Sequence, residues 1–233
     1  MQKRHILKAL TLIAITWMTA CSLPSSNQQA KTYTPVERLR QLEEGAARFA
    51  SGRSKHPRQT PARVHEIENG QHPFAVVVAC SDSRVSPEII FDQGLGDLFV
   101  LRTAGNLIDD LVLGSIEYAV EHLDASVVVV LGHSECGAVK ALIEGGEACG
   151  HIWDIVEMLA AEEEEQTALR KMGSNTDACV QGNILHGVRQ IKANFETQIE
   201  EGRLLVAPML YDVHTGVVTT LSEADLAHKF ARE

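Results

Sequence analysis

Two short segments of the chain combine residue types that bind metal ions with residue types that move protons. The first, residues 80–84, reads Cys-Ser-Asp-Ser-Arg, and the second, residues 132–137, reads Gly-His-Ser-Glu-Cys-Gly. Two thiolates and one neutral imidazole form a soft set of donors that suits Zn²⁺, and three protein ligands leave a fourth position open, as in catalytic sites. The sequence therefore predicts one catalytic zinc ion per chain, held by Cys80, His133 and Cys136.

Three apolar runs rich in β-branched residues must position these segments. They span residues 74–80, 97–102 and 126–132, and continuous apolar runs are typical of parallel strands that are buried on both faces. Helical patterns lie between the runs, which predicts an α/β fold with a mainly parallel sheet flanked by helices. Because the carboxyl ends of parallel strands meet at one edge of a sheet, we expect Cys80 and the 132–137 segment to lie together.

Further patterns complete the expected domain. Thr34 followed by Pro35 is typical of a helix start. The other elements are an N-terminal helix arm, four helices, a strand and an antiparallel edge strand, expected over residues 35–51, 111–123, 138–143, 152–170, 180–199, 204–211 and 216–221, respectively. We interpret the acidic run 162–165 as a solvated helix face without a function.

The first 21 residues resemble a bacterial secretion signal. Three cations lie within the first eight residues, and an apolar run follows from Ala9 to Ala20. That run is too short to cross a bilayer, which takes about 20 helical residues. It ends at Cys21 in a pattern that resembles a lipobox, where the signal is cut before a Cys that then carries lipid. A simple signal peptide and an uncleaved N-terminal anchor are the alternatives.

This pattern divides the chain into three parts. We expect a signal peptide over 1–20, a lipidated Cys21 with a flexible tether over 21–33, and one domain over 34–233. Ser22 resembles the signals that permit transfer to the outer membrane. The expected location is therefore the periplasmic side of a bacterial membrane, with the outer membrane favoured and a soluble periplasmic protein as the alternative.

Composition excludes one class of partner and leaves a question about two cysteines. The formal net charge is −10, so the chain lacks the basic surface that binds phosphate backbones, and nucleic acid is not an expected partner. Cys149 and Cys179 are not needed for the metal or the lipid. In an oxidising compartment they could form a disulfide, or they could be two separate buried thiols.

Four motifs in this order resemble the β-carbonic anhydrases. They are the 80–84 segment, Arg-Thr-Ala-Gly-Asn at 102–106, Gly-Ser-Ile-Glu-Tyr-Ala at 114–119, and the 132–137 segment. The similarity extends over residues 36–221. It implies a zinc enzyme that reversibly hydrates carbon dioxide to bicarbonate and a proton, and that assembles as a homodimer or a dimer of dimers.

The resemblance also implies roles for individual residues. Asp82 and Arg84 match a carboxylate–guanidinium pair, in which Arg84 keeps Asp82 from becoming a zinc ligand in a closed site. Gln71 matches a glutamine that reaches substrate from the partner subunit, and Gly137 matches a residue whose backbone N–H faces substrate. The apolar wall of the substrate pocket is matched by Phe99, Ala104 and Tyr118.

One departure and two alternatives accompany the resemblance. Some β-class enzymes carry a second bicarbonate site that needs a Trp three residues before the first zinc Cys, and Val77 stands there in this chain. With Arg102 lacking that stacking partner, the resemblance favours the subtype with an open zinc site. Hydrolysis of carbon disulfide or carbonyl sulfide is the alternative reaction. A lipid-anchored zinc-binding protein without turnover is the alternative outside enzymes.

The proposed lipid site gives a direct test. Cys21→Ser should release the protein from membranes, because the acyl chains that anchor it would be attached to Cys21. A single acyl chain binds a bilayer only marginally, so the anchor requires more than one. Zinc content should stay at the wild-type level, since Cys21 lies outside the predicted domain. Membrane fractionation with metal analysis measures both. Wild-type protein found wholly in the soluble cytoplasmic fraction would contradict the prediction.

Overall fold

The computed structural model describes most of the chain after its first 32 residues. The described residues are 33–145, 150–162, 167, 168, 171, 173, 175–222, 224, 226 and 228. The strands are β1 Ala75–Cys80, β2 Leu98–Thr103, β3 Val127–His133, β4 Leu205–Tyr211 and β5 Val218–Thr220. The helices are α1 Pro35–Ala50, α2 Pro61–Ile67, α3 Pro87–Ile90, α4 Asp110–His122, α5 Gly137–Glu144, α6 Ile152–Ala161, α7 Thr176–Asn194 and α8 Glu196–Glu200, with a 3₁₀ turn over Ala104–Asn106.

The five strands form one sheet in the order β2-β1-β3-β4-β5. All neighbours are parallel except β4 and β5, which pair antiparallel. The predicted mainly parallel sheet with an antiparallel edge strand is thus confirmed. From β1 the chain goes to β2 on one side and then to β3 on the other side. The carboxyl ends of β1 and β3 therefore flank the topological switch point, where α/β sheets bind their ligands.

The sheet is covered on both faces, as its apolar strands predict. Every residue of β1 and β3 is buried. One face of the sheet packs on α4, α5 and α7 through a cluster that includes Val78, Val130 and Ile184. The other face packs on α1 and α3 through a cluster that includes Leu42 and Phe91. Successive strand residues point to opposite faces, so an apolar residue is needed at every position.

The N-terminal helix packs on the sheet of its own chain. Thr34 and Glu37 form a reciprocal capping box, with Glu37 N–H donating to Thr34 Oγ1 at 3.2 Å and Thr34 N–H donating to the Glu37 carboxylate at 2.8 Å. These two bonds satisfy orphan donors at the helix start. Leu42 and Ala46 then place the buried side of α1 in the core beside α3.

A glycine allows the close packing that sets the end of β3. A Cβ atom added to Gly132 would lie 2.6 Å from the Ile184 side chain on α7. Only a residue without a side chain therefore fits there unless α7 moves away. The next residue is His133, a predicted metal ligand at the end of β3. The close approach of Gly132 to Ile184 therefore sets how near α7 lies to this ligand.

Two helix predictions need correction. The helix expected over 152–170 ends at Ala161, because Glu162 takes an extended conformation (φ −68°, ψ 126°). Glu162 is also buried, so it is not part of a solvated face; residues 163–165 lie outside the described part. Burial of Glu162 outweighs its local helix propensity at this point. The helix expected over 180–199 begins earlier, at Thr176, and breaks at the buried Phe195 (φ −127°, ψ 30°).

The expectations for the N-terminus and for Cys149 fall outside the described residues. These are the signal peptide, the lipidated Cys21, the tether before Tyr33 and a disulfide to Cys179. Cys179 itself is buried in the core against the sheet. No helix in the described part of the chain is long and apolar enough to cross a membrane.

Candidate metal centre

Three predicted ligands meet at the switch point of the sheet. Cys80 is the last residue of β1, His133 is the last residue of β3, and Cys136 is the N-cap of α5. All three are buried, and their ligand atoms lie within 4.8 Å of one another. The prediction that these residues come together is confirmed. Their donor atoms are those that bind zinc tetrahedrally, with one position left open.

The imidazole of His133 is oriented to present one nitrogen to a metal. Its Nδ1 lies 2.8 Å from the Ser134 carbonyl oxygen. A carbonyl can only accept, so Nδ1 carries the proton. The other nitrogen, Nε2, is buried and has no hydrogen-bond partner among the described residues. An unpaired buried acceptor is costly, and a metal ion would satisfy it. Most metal-binding histidines are held in this way through their second nitrogen.

The two buried sulfurs are coupled through a hydrogen bond. The hydrogen bond from Cys136 lowers the pKa of the Cys80 thiol, and the Gly105 N–H donates to Cys80 Sγ at 3.3 Å. The pKa of Cys136 is raised, first by its hydrogen bond to Cys80 and then by burial, although the N–H groups of Val139 and Ala138 oppose this. A dication at this site would bind both sulfurs as thiolates, because metal binding releases the thiol protons.

Asp82 is held beside the ligands by Arg84. The Arg84 Nε donates to Asp82 Oδ1 at 2.9 Å, Nη2 donates to Oδ2 at 2.7 Å, and the Arg84 backbone N–H donates to Oδ1 at 2.9 Å. The side-chain hydrogen bonds from Arg84 hold the pKa of the Asp82 carboxyl well below its usual range. Arg84 Nη2 also lies 3.3 Å from the Glu135 carbonyl, which ties this pair to the segment that carries Cys136.

Arg102 has a role that the sequence did not reveal. Its Nε donates to the Cys80 carbonyl at 3.1 Å, and its Nη2 donates to the Asp82 carbonyl at 2.7 Å. The guanidinium therefore fastens the backbone on both sides of Ser81. The Arg-Thr-Ala-Gly-Asn motif could have signalled this residue, but its partners are carbonyls, which carry no sequence pattern.

Asn183 is a second residue that sequence reasoning missed. Its Nδ2 donates to the Gly105 carbonyl at 2.7 Å, while the Gly105 N–H donates to Cys80 Sγ. Gly105 has a φ of 70°, a left-handed conformation that favours glycine. Asn183 thus orients the peptide that contacts the sulfur. It lies in the middle of α7, where nothing in the local sequence distinguishes it from other polar residues of the helix.

The structure divides the remaining predicted site residues into two groups. Ala104 and Gly137 lie at the metal cluster: Ala104 precedes Gly105, and Gly137 is the exposed first residue of α5. Gln71 lies before the start of β1, which is the opposite edge of the sheet. A strand rises about 3.3 Å per residue, so β1 alone separates Gln71 from Cys80 by roughly 17 Å.

Phe99 and Tyr118 belong to the distant group. Phe99 pairs with Val76 near the start of β1, whereas Cys80 pairs with Thr103. Phe99 contacts Tyr118 on α4, with 6.4 Å between the ring centroids. Tyr118 is 48% exposed. Within one chain, these two rings and Gln71 therefore do not line the space next to Cys80.

Comparison with known proteins identifies relatives of this arrangement. Residues 75–218 match the family described as carbonic anhydrase. A carbonic anhydrase of Mycolicibacterium smegmatis is 50% identical over 139 residues, which cover 58% of this chain and 64% of that protein. A carbonic anhydrase of Synechococcus elongatus is 32% identical over 202 residues, covering 79% of this chain and 72% of that protein. The chain spans less than two thirds of the length of its mycobacterial relatives.

Solved structures show the same similarity. One of two tetrameric β-carbonic anhydrases from the ascomycete Sordaria macrospora superposes with a TM-score of 0.63 at 25% identity. The superposition covers 80% of this chain and 98% of that protein. The family match over residues 75–218 includes both ligand-bearing strand ends.

Removal of one ligand tests the metal assignment. Cys136→Ala should weaken zinc binding by more than about 100-fold, since a change outside the ligand set already costs 10- to 100-fold. Cys179→Ala is the matched control, because it removes a buried thiol outside the cluster. Metal analysis after dialysis should find one zinc per chain in the wild type and control, and little in Cys136→Ala. Full occupancy in Cys136→Ala would overturn the ligand assignment.

Proposed function

This chain belongs to the carbonic anhydrase family, and we propose that it is a β-class enzyme that hydrates carbon dioxide reversibly to bicarbonate and a proton. The observation that carries the proposal is the open Cys-His-Cys cluster with the Asp82–Arg84 pair at its side. A purely structural zinc site is closed by a fourth protein ligand and needs no oriented carboxylate.

Cys80, His133 and Cys136 would hold the zinc ion in this proposal. Carbon dioxide is apolar, so the site must supply a strong nucleophile, and a zinc ion held there would supply it by lowering the pKa of a bound water molecule toward neutrality. The chain's own groups then orient the reactants. Asp82, ionised and fixed by Arg84, accepts a hydrogen bond from the attacking water. This hydrogen bond orients a lone pair of the water oxygen toward the carbon atom of the substrate.

Gly137 would stabilise charge on the substrate, and Arg84 would position Asp82. Gly137 is an exposed residue in the first turn of α5, and the backbone N–H groups at a helix N-terminus favour developing negative charge on a substrate oxygen. Arg84 occupies both oxygens of Asp82, so the carboxylate is kept from turning into the metal cluster. Arginine suits this because its planar fork is always charged.

The distant position of Gln71, Phe99 and Tyr118 supports an assembly of two copies. Gln71 precedes β1, Phe99 pairs near the start of that strand and contacts Tyr118, whereas Cys80 lies at its carboxyl end. In a dimer, the partner's Gln71 and aromatic rings would line this chain's pocket, with Gln71 donating to a substrate oxygen. We propose a dimer, or a dimer of dimers, as the active unit.

We also propose that the domain is anchored by lipid at Cys21 on the periplasmic side of a bacterial membrane. The support comes from the sequence alone: a basic start, an apolar run from Ala9 to Ala20, and a Cys in a lipobox-like context. The polar stretch before Tyr33 would then serve as a tether between the membrane and the enzyme.

The role of Arg84 tests the proposed reaction. Zinc-loaded wild type should hydrate carbon dioxide in a stopped-flow assay, and Arg84→Ala should lower kcat/KM about 100-fold, the effect of a small misplacement of a reacting group. Arg203→Ala is the matched control, since Arg203 pairs with Glu201 across the same spacing on an exposed turn. Zinc content should be equal in all three proteins. Zinc-loaded wild type without turnover would overturn the proposed function.

The pH profile of turnover in the same assay shows whether Arg84 acts by orienting Asp82 or by keeping Asp82 ionised. Because Arg84 lowers the pKa of Asp82, removal of Arg84 lets that pKa rise toward the ordinary 3.9 or so. Asp82 stays ionised at neutral pH in both proteins, so a loss of rate there reports orientation. Wild-type turnover should still fall on mild acidification with zinc retained, because less of the water that zinc would activate is deprotonated. Asp82 stays ionised in this pH range, so its protonation cannot cause the fall. A flat profile, or Arg84→Ala as fast as wild type, would contradict this mechanism.

Mixing experiments test the shared pocket. Gln71→Ala and Asp82→Ala dimers should each be slow, but mixed dimers should regain one active site, in which an intact metal centre receives Gln71 from the partner. Asp82→Ala mixed with Arg84→Ala is the control, because both defects lie in the same chain's site and cannot complement each other. Two affinity tags isolate the mixed dimers for the rate measurement. Equal rates in the two mixtures would contradict a shared site.

A further inference from the structure

The turn after β4 lies beside the metal cluster. Tyr211, the last residue of β4, pairs with His133 in the sheet. The Ser134 N–H donates to the Tyr211 carbonyl at 2.9 Å, and the Val213 N–H donates to Ser134 Oγ at 3.0 Å. His214 follows directly, with its side chain exposed. These contacts place an imidazole at the solvent edge of the cluster.

The backbone of this turn is held in place by one carboxylate. Asp212 Oδ1 accepts from the His214 N–H at 2.8 Å, and Asp212 Oδ2 accepts from the Thr215 hydroxyl at 2.9 Å. The Gly216 N–H closes the turn onto the Asp212 carbonyl at 2.8 Å. The position of His214 is therefore built into the fold, while its ring stays accessible to water.

Two carboxylates lie within electrostatic range of His214: Glu135 from the segment before α5, and Asp212 from the same turn. Glu135 in turn pairs with Lys140 on α5 and lies within range of Arg84 from the loop after β1. The phenol of Tyr211 lies within range of Asp212 and Arg84. Exposure rises outward from the buried ligands: the Asp82 side chain is 18% exposed and that of Glu135 is 39% exposed.

Most of these groups are poor acceptors for a proton near neutral pH. Arg84 and Lys140 act as hydrogen-bond donors, to Asp82 and Glu135 respectively. Arg84 lowers the pKa of Asp82, Lys140 lowers that of Glu135, and the His214 N–H lowers that of Asp212. An imidazole is the side chain that takes up and releases a proton between pH 5 and 8.

We propose that His214 accepts the proton that carbon dioxide hydration releases and delivers it to buffer in the solvent. This inference rests on the proposed function. Carbon dioxide and water give bicarbonate and one proton; water molecules between Asp82 and the turn carry that proton to a ring nitrogen of His214. The resulting imidazolium gives the proton to a buffer base, which restores neutral imidazole. The dehydration of bicarbonate uses the same steps in reverse.

Steady-state kinetics in dilute and concentrated buffer test the proposal. His214→Ala should lower kcat about 10- to 100-fold in dilute buffer. This loss is at or below the lower end of the effect that a positioned proton-transfer group usually has. It should leave kcat/KM unchanged, since that ratio covers the steps through bicarbonate release and not proton export. Added imidazole or concentrated buffer should restore kcat. His65→Ala, which removes an exposed histidine on α2, should match wild type throughout.

A spectroscopic readout is independent of turnover. In ¹⁵N-histidine NMR spectra, the imidazole signal that His214→Ala removes should shift with pH across the range in which the enzyme works. Zinc content should be equal in all variants. An imidazole that keeps one protonation state across that range, or a wild-type kcat for His214→Ala in dilute buffer, would overturn the inference. Zinc-loaded wild type that hydrates no carbon dioxide would instead overturn the proposed function.

Discussion

The parallel pairing of β1 with β3 is the constraint on which the rest of the site depends. Each strand carries one ligand at its carboxyl end, so Cys80 and His133 become neighbours only because the strands are adjacent, parallel and in register. Cys136, the N-cap of α5, follows His133 by three residues, and the start of that helix brings it to the same place. A one-residue slip of either strand would turn its ligand to the opposite face of the sheet. The same strand register therefore determines both the packing of the sheet core and the geometry of the metal centre.

Around this pairing, the chain uses backbone groups to hold polar side chains in a buried place. A thiolate, an imidazole nitrogen and a carboxylate are costly to bury unless each has a partner. Here Gly105 supports Cys80, Ser134 orients His133, and Arg102 ties down the segment that carries Asp82. Peptide groups are fixed by the fold, so they need no reorganisation when charge changes.

The site combines a buried interior with an exposed rim, and the two parts have different roles. The interior holds the ligands and orients Asp82, whose ionised state is secured by Arg84. At the rim, Glu135, His214 and Asp212 lie in contact with water, where protons can be exchanged with buffer. At the opposite edge of the sheet, the positions of Gln71 and the Phe99–Tyr118 pair support the proposed pairing with a second copy of the chain.

The sequence by itself determined the α/β class, the strands, the capped first helix and the three ligands. Those features come from local patterns: apolar runs, Thr34 followed by Pro35 at a helix start, and potential metal ligands at strand ends. It misplaced the end of α6 at Glu162 and the break at Phe195, because burial against distant residues overrides local helix propensity. Tertiary structure alone decided the roles of Arg102 and Asn183 and the separation of Gln71 from Cys80. Such contacts join segments far apart in the chain, and hydrogen bonds to backbone carbonyls depend on where the fold places a peptide, not on its side chain.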